Sequence, residues 1–135
     1  MDRTDLLRTT YRINAAATFA CGAVLLAAGH LLASPFAVPE AALRVIGAAF
    51  VLLALWIWTL SCRPQLLWSE AALLGVLDGV YALASIAALV DFWSMMTPEL
   101  RIAVAMVGAP VAIFASVELT SALRLRASAS GLARG

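Results

Sequence analysis

The sequence predicts an all-α fold, a four-helix transmembrane bundle running up-down-up-down, and three observations carry that expectation. Of 135 residues, 64% are hydrophobic and 13% charged, with a mean hydropathy of +0.97; a soluble domain carries about 25% charged and 45–50% apolar residues. Four apolar runs each approach the length of about 20 residues that one bilayer crossing takes. Proline-bearing polar breaks separate them and leave no room for a second, soluble domain. The reading is therefore one transmembrane domain over residues 1–126, with spans at 13–33, 41–60, 68–92 and 100–122, and a frayed tail over 127–135.

The elements follow in order. Residues 1–12, MDRTDLLRTTYR, offer Asp2 or Thr4 as a helix cap ahead of the first run. That run, Ile13–Ala33, exceeds the 7–15 apolar residues of a signal peptide and reads as a retained helix. Ser34-Pro35 is expected to end it. Val38-Pro39-Glu40 opens the second span, with proline and an acid in the first turn as helix starts prefer. Trp56, Trp58 and Arg63-Pro64 close that span. The third is bracketed by Trp68 and Trp93, and Thr97-Pro98-Glu99 opens the fourth, which finishes before Arg124 and Arg126.

Arginine placement gives the orientation. Arg3, Arg8, Arg12, Arg63, Arg124, Arg126 and Arg134 flank one side of the membrane, and Arg44 and Arg101 the other. Cytoplasmic loops hold the excess of positive charge, so both termini are expected in the cytoplasm. Arginine without lysine, beside abundant alanine, suggests a bacterial inner membrane. The net charge of +1 implies no nucleic-acid partner. Cys21 and Cys62 fall at mismatched depths and are expected to stay unpaired.

Helical periodicity turns Ala71, Leu74, Gly75, Asp78, Tyr81, Ala82 and Ser85 to one face of the third span. Gly75 and Gly79 form a G-x-x-x-G pair suited to close helix packing. On the first span Asn14, Thr18 and Cys21 group together; on the fourth, Gly108, Ala115, Glu118 and Ala122 do. A faint echo at an offset of 57 residues sets Gly22-Ala23 on Gly79-Val80. Shared membrane composition accounts for it more simply than a duplicated hairpin.

Asp78 is the first candidate for chemistry. It lies about 15 Å beyond Trp68 at 1.5 Å per residue, near mid-bilayer, where an ionisable group is costly and marks function by default. No arginine or histidine is expected at that depth, so desolvation favours the neutral acid, which can donate a hydrogen bond. Acceptors on offer are Thr18, Tyr81 and the Met106 carbonyl that Pro110 leaves without its helical donor. Asp78 then either binds and releases a proton or cation, or simply joins two helices. Glu118 is a second proton- or cation-binding candidate. With Asn14 and Glu70, closed by Arg12, it is expected to form a polar cluster near the inner surface, whose bland alternative is interfacial snorkelling and capping. His30 falls almost opposite Asn14 and is a poor metal or haem ligand alone. No catalytic set, metal ligand set or cofactor site is expected.

The run Leu43-Arg44-Val45-Ile46-Gly47, the Arg63-Pro64 loop and the Asp78…Tyr81…Ser85 spacing resemble the small four-helix integral membrane proteins of bacteria and are similar to DoxX-like proteins. The resemblance covers the whole chain; it implies the four-helix fold and brings no assigned activity. The function expected first is that of a non-enzymatic membrane protein that associates with itself or a larger complex. The alternative is a proton-coupled transporter or channel subunit using Asp78. The lipid bilayer is the one partner both require.

Overall fold

The computed structural model describes residues 3–132; Asp2 and Arg134, read above as a cap and as part of the arginine bias, lie outside them. Among the described residues the chain is four helices and no strands: α1 (Arg3–Phe36), α2 (Glu40–Ser61), α3 (Trp68–Asp91) and α4 (Pro98–Leu132). Each contains a segment long and apolar enough to cross a membrane.

The helix starts have visible causes. At α2, Pro39 holds φ −56° and ψ 135°, and its carbonyl accepts from the Ala42 and Leu43 amides. At α4 the Thr97 hydroxyl accepts from the Leu100 amide at 3.2 Å, so a side chain occupies one otherwise orphaned donor.

The end of α1 departs from expectation. Pro35 does not stop the helix but sits inside its last turn. The stop is made by Ala37, at φ 53°, whose amide reaches the Ser34 carbonyl while the Val38 amide reaches Ala33, both at 3.1 Å. That pair of bonds is a Schellman ending, with alanine where glycine is usual. The tail also differs. Residues 127–132, expected to fray, continue α4.

The helices pack as two hairpins, α1 with α2 and α3 with α4, joined by α1 against α4. In the first hairpin the backbones touch at Gly22 and Gly47. A methyl group on Gly22 would lie 2.7 Å from the Gly47 carbonyl oxygen, and one on Gly47 would lie 2.9 Å from the Gly22 oxygen. In the second, Gly75 packs on Leu119 and Gly108 on Ser85. Descending partners for ascending positions make both pairs antiparallel. Gly79 differs from its G-x-x-x-G mate: a methyl group there would meet nothing within 4 Å.

All four helices contribute to one apolar core, Leu7, Tyr11, Ala15, Ile57, Leu60, Ala71, Leu74 and Ala122. It closes the end of the bundle that holds the start of α1 and the α2–α3 loop. Arg8 donates to the Pro64 carbonyl at 2.8 Å there, and the Arg126 guanidinium lies over the Trp68 ring. The outer faces of the helices show Val45, Leu52, Leu83 and Val90, each more than two-thirds exposed. A surface of this kind suits acyl chains and not water.

Candidate functional site

Directly above the closed core, three polar side chains from three helices meet. Asn14 (α1) is 1% exposed, Glu118 (α4) 0% and Asp78 (α3) 6%. The Asn14 amide nitrogen donates to Asp78 Oδ2 at 2.6 Å and to Glu118 Oε1 at 3.3 Å. Both its hydrogens are thereby committed. The Thr18 hydroxyl, one turn along α1, donates to Asn14 Oδ1 at 3.1 Å. That bond fixes which end of the amide faces the acids.

The carboxyl groups of Asp78 and Glu118 accept from the same amide nitrogen and so lie side by side in the buried space. Glu118 Oε2 is buried and has no hydrogen-bond partner. The ion pairs Arg44–Glu40 and Arg63–Glu70 do not touch the trio. Among the described residues no cationic side chain bonds to it, and no three His, Cys, Asp or Glu side chains converge to hold a metal ion.

Asn14 and Asp78 form the floor of a cavity of about 290 Å³. Asp78, Asn14 and Thr18 face into it, and its walls are apolar, with Phe50 and Leu53 from α2, Tyr81 from α3 and Pro110 and Phe114 from α4. Tyr81 and Phe50 meet edge to face, ring centroids 6.0 Å apart. Glu118 is not among the lining residues; it sits behind Asp78, away from the cavity.

The cluster expected at the inner surface is divided. Asn14 and Glu118 lie level with Asp78, while Glu70 pairs with Arg63 and Arg12 is exposed outside the group. The reason is helix length. Residue counts taken from the edges of the apolar runs put Asn14 and Glu118 near the surface, but α1 begins at Arg3 and α4 runs on to Leu132, so both positions lie well inside their helices. Asp78 meets this amide and acid instead of the Met106 carbonyl, and Met106 and Pro110 line the cavity. His30 is exposed, and Cys21 and Cys62 are unpaired, Cys21 in the cavity wall.

Two features escaped the sequence. Thr18 shares a face with Asn14 at a spacing of four, the signal for a hydroxyl able to reach one turn back, but its role as the residue that orients the amide rests on the bond itself. The Gly22–Gly47 contact had no signal beyond two glycines within apolar runs. No family model matches the chain, and no curated protein or solved structure does either.

Proposed function

We propose that this chain is a small integral membrane protein that binds a small molecule in its central cavity in exchange for a proton held by Asp78 and Glu118, as a proton-coupled transporter or channel subunit. The observation that carries the reading is the pairing of two buried acids through one amide, with no cationic side chain among the described residues bonded to them. A purely structural acid needs a donor, which Asn14 alone supplies. A second acid next to it adds repulsion and desolvation cost, and groups that cost stability mark working sites. Two negative charges in one dry pocket repel, so the pair holds one proton between them. The orphaned Glu118 oxygen agrees with this, since leaving a neutral carboxyl oxygen dry costs less than leaving a carboxylate dry.

The arginine bias supports a bacterial inner membrane with both termini in the cytoplasm. A second reading, a self-associating accessory subunit, is favoured by one observation: Gly79 leaves a notch on α3 that no described residue fills. Infrared spectroscopy of the purified protein through a pH titration tests the first reading. A protonated-carboxyl C=O band should disappear on alkalinisation and be absent from the Asp78→Asn, Glu118→Gln double variant. A pair whose spectrum does not change with pH would leave the accessory reading, which native mass spectrometry would then show as a fixed oligomer.

A further inference from the structure

We infer that the ligand of the cavity is a small lipophilic monovalent cation, an aromatic or branched-alkyl body with an ammonium-type charge, which enters sideways from the bilayer and seats its charge on Asp78. The inference rests on the proton-exchange reading and names the substrate class for that site.

Three observations select this class. The first is size. About 290 Å³ lies at the lower edge of the range of about 300–1,000 Å³ for small-molecule sites, so one ring with a compact head fills it. The second is the opening. Ala17, Met106 and Pro110 line the cavity and are also exposed on the outer surface of the bundle, Met106 at 71%. The cavity therefore opens through the side of the bundle toward the acyl chains, and a molecule arriving that way must first dissolve in lipid.

Charge complementarity is the third. The groups around the floor are Asn14, Thr18, Cys21 and Tyr11 from α1, Tyr81 from α3 and Glu118 from α4, with the apolar Phe50 and Leu53 from α2. Every ionisable group in that set becomes negative or stays neutral. The rings of Phe50, Tyr81 and Phe114 line the space above, and aromatic faces attract a poorly hydrated cation. An anion would meet the Asp78 carboxyl group with Glu118 behind it, and a neutral apolar body would leave Asp78 without a counter-charge. On binding, an O–H bond of the carboxyl pair breaks and the proton leaves to solvent. The ligand's fixed positive charge replaces it, so the net charge of the site is unchanged.

The test uses the purified full chain in detergent, with benzyltrimethylammonium as probe and 2,2-dimethylpropylbenzene, its uncharged carbon isostere, as competitor. Saturable binding of the cation should release protons into weakly buffered solution and weaken as pH falls. Asp78→Asn should lower its affinity by at least about tenfold, Asp78→Glu should retain most of it, and the isostere should not compete. Should Asp78→Asn fail to elute as a folded species, Cys21→Trp fills the cavity and leaves both carboxyl groups. It should abolish binding while the infrared titration persists. Binding without proton release, binding unaffected by either variant, or equal binding of the isostere overturns the inference; the last would mean that the cavity takes neutral molecules such as acyl chains. A carboxyl pair that titrates while the cation fails to bind removes this inference alone, whereas a pair that does not titrate removes both readings.

Discussion

Thr18 donates its hydroxyl hydrogen to the Asn14 side-chain oxygen at 3.1 Å, and Asn14 consequently turns both amide hydrogens toward acids on two other helices. A flipped amide would point its oxygen at two carboxyl groups and its nitrogen at a hydroxyl. Thr18→Val keeps the shape of the side chain and removes the donor, so the flipped state is no longer opposed. The expected loss is about 1 kcal/mol of stability, read as a lowered thermal midpoint in detergent, and Thr18→Ser should restore most of it. A valine variant as stable as the parent would mean that the hydroxyl does not orient the amide.

Asn14 bears more. Replacing it with leucine of similar size leaves Asp78 and Glu118 buried against each other without a donor. An unsatisfied buried polar group costs about 1–3 kcal/mol, and more when charged, so Asn14→Leu should lose at least about 2 kcal/mol, measured by the same denaturation. Adding Asp78→Leu to it should recover part of the loss, because one of the stranded acids is then gone. Additive losses in the double variant would show that the amide and the acid do not act together.

The fold was legible because composition and helix period are sufficient for it. Once lipid is the solvent, four apolar runs must each be helical, since every backbone group has to be satisfied within its own segment. Periodicity also turned Asn14, Asp78 and Glu118 toward the interior, one residue at a time. What it could not give was their meeting. The edges of apolar runs give depth only where they mark helix ends, and those of α1 and α4 do not. The same limit explains the glycines: Gly75 and Gly79 match a packing motif, yet Gly75 touches Leu119 while Gly79 faces open space. The Gly22 and Gly79 positions that align at a common offset have opposite surroundings for the same reason. Which backbones cross where depends on contacts between distant segments, and period carries no record of that.

The two glycines offer a direct contrast. Gly22→Ala forces a methyl group to within 2.7 Å of a backbone oxygen that cannot swing aside, so the α1–α2 hairpin must open. Overpacking of this kind costs about 1–3 kcal/mol. Gly79→Ala adds its methyl group to open space and should stay within about 0.5 kcal/mol of the parent. Should Gly79→Ala prove the more damaging of the two, the α3 notch is occupied by another molecule, and the accessory reading gains at the expense of the cavity.

Ala37 holds a left-handed backbone at φ 53°, a conformation that costs an L-residue roughly 1–2 kcal/mol and glycine almost nothing. Glycine loses some of that advantage through the greater freedom of its unfolded chain. Ala37→Gly should therefore gain about 0.5 kcal/mol, seen as a raised thermal midpoint. Ala37→Val should lose more than that, because a branched side chain fits the conformation worst. No change in either variant would mean that the α1–α2 turn relaxes at no cost and does not hold the hairpin.

Cys62 tests the orientation. It is exposed at the end of α2 beside Arg63, on the closed end of the bundle, whereas Cys21 lies in the cavity wall. If the arginine-rich end faces the cytoplasm, a membrane-impermeant maleimide should not label Cys62 in intact cells and should label it in inside-out vesicles. A Cys62→Ala variant, which keeps Cys21, should remain unlabelled in both, because the reagent cannot enter through lipid. A permeant maleimide small enough for the cavity opening should reach Cys21, and benzyltrimethylammonium should slow that reaction. Labelling of Cys62 from outside intact cells would invert the topology and carry the start of α1 and the end of α4 to the outer surface with it.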